Sequence, residues 1–182
     1  MKIYLVRHGQ TDWNLHNKIQ GWSDVPLNKT GLEQAKALGE NLRGVKFDKV
    51  YCSPLRRARE TAEVALAAAG ALMEIDFEKN LVERGFGEFE GKSGEEYDAA
   101  KYWDFLLNCD ARGVESVKEM MARGEKVKMR ILGENKKEAT VLVVGHGASL
   151  RALYFNLVGF EAGKTNLREF YLKNGEVRVV EI

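Results

Sequence analysis

Four short stretches of the chain carry groups able to handle an oxyanion. Arg7-His8-Gly9 follows the apolar run Ile3 to Val6, Ser53-Pro54-Leu55-Arg56-Arg57 follows Val50-Tyr51, and Gly145-His146-Gly147 follows Thr140 to Val144. Glu83 opens a glycine-rich stretch that ends at Gly94. In an open α/β sheet, ligands bind beyond the carboxyl ends of the strands, so residues just after each strand are the first candidates for a site. Two imidazoles, arginines and a carboxylate suit phosphoryl transfer. Arginine forks match the charged equatorial oxygens of the transferring group. An unprotonated imidazole nitrogen can accept that group near neutral pH, and a carboxylic acid can protonate the departing oxygen. Cationic side chains can supply the positive charge that a metal brings elsewhere, so neither metal nor cofactor is expected. Residue type and spacing leave open which of His8 and His146 attacks.

The elements that must position these groups alternate. Ile3 to Val6 and Thr140 to Val144 are near-continuous apolar runs, the pattern of strands buried on both faces of a parallel sheet. Thr30-Gly31-Leu32-Glu33 reads as a capping box, followed by Leu32, Ala35, Leu38 and Leu42 on one helical face to about Arg43. Ser53-Pro54 reads as an N-cap with proline in the first turn, and Leu55, Ala58, Ala62 and Leu66 form the buried side of that helix. A weaker strand is expected near Met73 to Phe77, and helical patterns run over Glu95 to Leu107 and Val114 to Leu132. In the second pattern Val117, Met120, Met121 and Val127 read as packing, and Lys118, Arg123, Lys126 and Arg130 as its solvated side. Asn174-Gly175 between alternating segments predicts a tight hairpin that closes the sheet with an antiparallel pair. The fold class is therefore α/β: a three-layer sandwich with a mostly parallel central sheet and helices on both faces. One domain over 1–182 is expected, with a small helical insertion over about 92–132.

Composition narrows the function. The chain has 28 Lys and Arg against 27 Asp and Glu, a formal charge of +1, so no global field favours nucleic acid or an anionic membrane. Any anion site must be local. The opening apolar run ends at Arg7, too short for a signal-peptide core or a membrane span. Cys52 and Cys109 cannot build a disulfide framework or a metal cluster and read as free thiols, so a cytoplasmic location is expected. Phe86 to Ser93 ends like a phosphate-binding P-loop, but lacks its first glycine and would turn glutamates toward phosphate. Gly145 to Leu150 lacks the third glycine of a dinucleotide fingerprint. Adjacent helical residues point about 100° apart, so Arg56 and Arg57 do not both aim at one phosphate. His16 reads as a solvated loop residue. Tyr97, Tyr102, Trp103 and Phe105 read either as core or as a cap over the substrate.

The order of motifs resembles the histidine phosphatase superfamily, which includes the cofactor-dependent phosphoglycerate mutases. The matching segments are LVRHGQTDWN, then Gln20-Gly21 with Asp24, Pro26-Leu27 and Gly31. Ser53-Pro54-Leu55 with Arg57-Ala58 and Thr61-Ala62 follows, then Glu83, Gly87 and Glu90-Gly91, and finally VVGHGASLRAL. The resemblance spans most of the chain and implies a phosphoglycerate mutase-like fold. It implies that His8 is phosphorylated, that Arg7, Arg57 and His146 clamp the phosphoryl oxygens, and that Glu83 is the general acid. Asn14, Gln20, Gly21 and Gly147 are expected to line the phosphate site. The implied activity is metal-independent hydrolysis of small-molecule phosphate monoesters, since members specialised as mutases generally carry longer insertions and tails. Phosphoglycerate mutase activity is the second reading. A non-catalytic phosphate-binding module is a third, disfavoured by the complete set of histidines, arginines and glutamate.

Overall fold

The buried runs become neighbouring strands. In the computed structural model, which describes all 182 residues, β1 (Lys2–Arg7), β2 (Lys49–Cys52), β3 (Asp76–Phe77), β4 (Thr140–Gly145) and β5 (Val177–Glu181) form one sheet in the order β3-β2-β4-β1-β5. β4 is central, parallel to β1 and β2, and Val141 to Val144 are sealed from solvent. After β1 the chain makes the single turn α1 (Asp12–Leu15), and α2 (Lys29–Asn41) and α3 (Arg56–Ala69) cover one face of the sheet around Val6, Leu38, Ala62 and Val144. α5 (Val117–Glu134) and α6 (Gly147–Val158) cover the other around Leu5, Met120, Val143 and Leu150. Covering both faces is what the unbroken apolar run in β4 required, and each fully buried aliphatic side chain contributes about 1.5–3 kcal/mol. The fold is the three-layer α/β sandwich expected, with β5 as its antiparallel edge.

Strand register brings the site together. Arg7 lies opposite Gly145 across the β1–β4 pair, and Cys52 opposite Val144 across β2–β4. His8, Ser53 and His146 are the next residues on three adjacent parallel strands, so they emerge at one level. The backbone N–H of His8 donates to Gly145 O at 3.0 Å, and that of Ser53 to Val144 O at 2.9 Å.

Several local expectations change. Asn28, not Thr30, caps α2: its Oδ1 accepts from the N–H of Gly31 at 2.9 Å, and Leu32, on the turn so displaced, is exposed. α3 starts at Arg56 after Leu55, because Ser53 Oγ is held by the N–H of Leu55 and by His146. The helix expected over Glu95 to Leu107 reduces to a 3₁₀ turn at Gly94–Glu96 and the short α4 (Ala99–Tyr102). The stretch 92–132 thus divides: up to residue 116 it runs as turns, whereas α5 is a full member of a helical layer. Asn174-Gly175 does not join two strands. Leu167–Glu169 before it is a 3₁₀ turn, and β5 after it pairs with β1.

Lys118 and Lys126 are exposed as expected, but Arg123 and Arg130 are half-buried and held by partners. Arg130 bridges Asp76, Glu78 and Glu134, tying α5 to the β3 edge, and this triple pairing raises its pKa through Glu78 first. Arg123 holds Glu115 at 2.6 Å and the carbonyls of Asn80, Val82 and Glu83. The loop before Glu83 covers this side of the helix, which periodicity along α5 alone does not register.

One close approach fixes the loop after β1. A Cβ on Gly31 would lie 2.1 Å from the carbonyl oxygen of Gln10, and one on Gly9 would lie 2.5 Å from Gly31 O. Gly31→Ala is therefore expected to destabilise by about 1–3 kcal/mol, as overpacking does, and to lower activity by displacing the His8 loop. Denaturant unfolding checks this, with an unchanged midpoint as the contrary outcome.

Candidate active site

His8 is 2% exposed, and its Nδ1 lies 2.7 Å from Gly9 O. A carbonyl oxygen only accepts, so Nδ1 carries the proton and Nε2 keeps its lone pair, without a protein partner. The same reasoning assigns His146. Arg57 Nε donates to His146 Nδ1 at 3.2 Å, so Nε2 carries the proton and donates to Ser53 Oγ at 2.7 Å. The two rings lie 5.1 Å apart between centroids.

Burial first, and then the charges of Arg57 and Arg7, hold the His8 pKa well below its usual value, against a smaller opposing effect of Gly9 O. Burial and Arg57 do the same to His146. Both imidazoles are neutral at physiological pH, the state a nucleophile needs. The unfolded chain takes up protons near pH about 6.5, where the folded chain does not. Stability from these two groups is therefore complete above that pH and declines as pH falls below it. Histidine nitrogen NMR should find His8 and His146 neutral down to about pH 6; protonation at the ordinary histidine pKa would contradict the electrostatics.

Arg57 is completely buried. Its Nη1 donates to Ser23 O and its Nη2 to Gly21 O, both at 2.8 Å. Burial lowers its pKa to about 10, which leaves it charged at neutral pH. Arg56 is exposed and pairs with Glu60, so of the two arginines Arg57 is the buried one. Arg7 Nη1 donates to Leu172 O at 2.8 Å, while its buried Nε has no partner. That free donor matters, because an unpaired buried N–H costs about 1–3 kcal/mol unless something accepts from it.

Glu83 reaches the site from its loop. Its Oε1 accepts from the N–H groups of Arg84, Ala148 and Ser149 at 2.9, 2.9 and 3.2 Å, at the N-terminus of α6. Its Oε2 has no protein partner. A Cβ on Gly147 would stand 3.6 Å from Glu83 Oε2 and 3.9 Å from Arg7 Nε, so a free carboxylate oxygen and a free guanidinium N–H face the same space. Asn14 Oδ1 accepts from Thr11 N, Thr11 Oγ1 and Asn174 Nδ2, leaving its own amide N–H groups available. Gly21 contributes its carbonyl to Arg57, and Gln20 is buried with its Oε1 unpaired. His16 is exposed, as expected.

Three positioning residues escaped the sequence reading. Asn174 Nδ2 donates to His8 O at 3.0 Å, and the Gly175 N–H to Arg7 O and His8 O, so this turn grips the end of β1 instead of closing a hairpin. Its Asn-Gly signal was legible, but its target was not. Glu90 accepts from Trp22 N, Ser23 N, Ser23 Oγ and Phe86 N, joining the loop that holds Arg57 to the loop that holds Glu83. Trp22 Nε1 donates to Glu83 O at 2.7 Å. Of the aromatics considered as a cap, Tyr97 and Tyr102 stack on each other beside Phe89, and Phe105 packs on Phe160. Tyr102 is buried and Tyr97 and Phe105 are half-buried against core residues; of the four, Trp103 is the one with arginine guanidiniums over its ring. No group of three or more His, Cys, Asp or Glu side chains is arranged to hold a metal ion, and no helix is long and apolar enough to cross a membrane.

Known proteins similar to this chain include both phosphatases and phosphoglycerate mutases. A phosphatase of Bacillus subtilis, PhoE, is 38% identical over 86% of this chain and 77% of its own length. A 2,3-bisphosphoglycerate-dependent phosphoglycerate mutase of Cytophaga hutchinsonii is 37% identical over 85% of this chain and 76% of its own. The solved structure of a phosphoserine phosphatase from Entamoeba histolytica, in complex with phosphoserine, superposes with a TM-score of 0.82 at 30% identity, covering 98% of this chain and 89% of that one. Residues 3–182 match the family model of the histidine phosphatase superfamily, branch 1, and the chain belongs to that family.

Proposed function

We propose that this protein hydrolyses phosphate monoesters of small molecules, without a metal, through a phosphohistidine on His8 Nε2. The observation that carries the reading is an unprotonated His8 Nε2 without a protein partner just after β1, with an unpartnered Glu83 Oε2 and an unpartnered Arg7 Nε both beside Gly147 just after β4. His8 Nε2 attacks phosphorus while Glu83 passes a proton to the departing alcohol oxygen. Arg7 and Arg57 balance the dianionic phosphoryl group and Asn14 orients it, while His146, bonded to Arg57 and Ser53 in the free protein, positions Arg57 and exchanges these bonds for a phosphoryl oxygen if it clamps directly. Water then attacks the phosphohistidine, Glu83 takes its proton, and inorganic phosphate leaves with His8 restored. Each bond broken is matched by one formed, and Glu83 ends as it began. The roles of Gln20, Gly21 and Gly147 are to line the pocket and leave it room. The whole chain, 1–182, acts as one domain in this reading. Its two unpaired cysteines, Cys52 and Cys109, suit a reducing compartment such as the cytoplasm.

Phosphoglycerate mutase activity is the second reading, favoured by the mutases among the relatives. The two separate on one assay: release of inorganic phosphate from a panel of monoesters without added metal, beside isomerisation of a phosphoglycerate primed by a bisphosphate. Phosphate release that dominates supports hydrolysis; isomerisation without net release overturns it. Phosphate binding with neither reaction would leave a binding module.

A further inference from the structure

Two loops away from the strand tips hold groups of the proposed reaction, and one carboxylate joins them. Arg57 is gripped by Gly21 O and Ser23 O, the carbonyls on either side of Trp22, and Glu83 lies on the loop that runs to Gly94. Glu90 Oε1 accepts from the N–H of Trp22 at 3.0 Å and from that of Phe86 at 3.1 Å, so a single oxygen bridges both loops. Its Oε2 accepts from Ser23 N at 3.0 Å and Ser23 Oγ at 2.8 Å. The backbone on either side is pinned, because Gly91 N donates to Ile19 O and Ile19 N to Lys92 O.

Each end of this bridge reaches a reacting group. Through Trp22 and Ser23 it fixes the two carbonyls that aim the Arg57 guanidinium. Through Phe86 it fixes the acid loop, and Trp22 Nε1 adds a bond to Glu83 O at 2.7 Å. The carboxylate also brings charge: Glu83, Asp24 and Glu90 are the anions whose fields act on the buried Arg57. Gly21 makes room for it. The φ of Gly21 is +53°, and a Cβ there would overlap Glu90 Oε1. Hydrogen bonds to a carboxylate are about twice as strong as neutral ones, and no other side chain combines this charge with this reach.

We propose that Glu90 is a positioning residue that holds the Arg57 clamp and the Glu83 acid in one geometry, and so sets phosphate affinity and leaving-group protonation together. This rests on the proposed hydrolysis for the roles of Arg57 and Glu83, but half of its test needs no turnover. A residue that only stabilised the fold would change the amount of folded protein and leave the affinity and selectivity of that fraction alone. Two variants separate the arms. In Glu90→Gln the amide oxygen can keep the Oε1 position and still bridge Trp22 to Phe86, but the amide nitrogen meets the N–H of Ser23 and the charge is gone. Glu90→Ala removes both arms.

Inorganic phosphate binding is measured by calorimetry on His8→Ala protein, which cannot form the phosphohistidine. With His8 intact, kcat/KM is measured for glycerol phosphate and para-nitrophenyl phosphate, and their ratio reports the need for an acid. Glu90→Gln should weaken phosphate binding by about tenfold, the scale of one charge-assisted hydrogen bond, and leave the alkyl-to-aryl ratio within about threefold. Glu90→Ala should weaken binding at least as much and lower the ratio by about ten- to a hundredfold, the loss that follows a displacement of about 1 Å. Added to Glu83→Gln, it should lower the ratio no further, because the acid it positions is already absent. Affinity and ratio do not depend on how much protein is folded, and if Glu90→Ala does not fold, Glu90→Gln decides through phosphate affinity. Unchanged affinity in Glu90→Gln, or a full further fall of the ratio in Glu83→Gln protein, would overturn the assignment. Weakened binding in a protein that releases no phosphate would overturn hydrolysis and support Glu90; release with unchanged affinity would overturn Glu90 alone.

Discussion

His8→Ala protein is expected to lose turnover by on the order of 10⁴-fold or more, the scale seen when a covalent nucleophile is removed. The loss should fall on kcat, with phosphate still bound, because Arg7, Arg57 and Asn14 remain in place. The imidazole contributes one internal hydrogen bond, to Gly9 O, so its removal leaves most of the loop restraints intact. Gly9 N still donates to Thr61 Oγ1, and Asn174 still holds His8 O through the backbone. Rapid quenching of the wild-type protein with labelled substrate should trap an acid-labile, base-stable phosphoryl group, absent from the variant. A fully active variant, or label retained on it, would rule out covalent catalysis at His8.

Glu83→Gln is expected to slow hydrolysis of alkyl phosphates by about 10²–10⁴-fold, the usual contribution of a general acid. Glutamine keeps an oxygen to accept from Arg84, Ala148 and Ser149, so the loop should stay docked on α6 and only the proton donor is lost. An aryl ester such as para-nitrophenyl phosphate leaves as a stable phenolate and needs little protonation. Its phosphorylation step should slow far less than that of glycerol phosphate in the same variant. Equal losses on both esters would argue that Glu83 holds the loop and does not donate a proton. The pattern also tests the spare oxygen: if Oε2 is the working atom, what matters is its freedom beside Arg7 Nε, not the three bonds at Oε1.

Much of this molecule was legible in its residues because the relevant physics is local. Unbroken apolar runs at Ile3 to Val6 and Thr140 to Val144 can be buried on both faces only at the middle of a parallel sheet, and these strands occupy such positions. Their ends carry His8 and His146; helical geometry let only one of Arg56 and Arg57 aim at a phosphate there, and the resemblance pointed to Arg57. The family resemblance supplied what residue types could not, namely which histidine attacks and which glutamate is the acid.

What tertiary structure alone decided concerns partners distant in sequence. Register placed Arg7 beside Gly145 and so brought two histidines 138 positions apart into ring contact; a shift of one residue would have turned one of them to the opposite face. Asn174 looked like hairpin chemistry and instead grips the carbonyl of His8, because a turn's free amide bonds whatever acceptor the fold presents. Arg123 and Arg130 looked solvated because periodicity records only apolar faces, while the loops that cover a polar face come from elsewhere in the chain. The local pattern determined the strands and the chemistry at their tips. Long-range packing determined which polar groups were used up in holding the fold and which were left free to act.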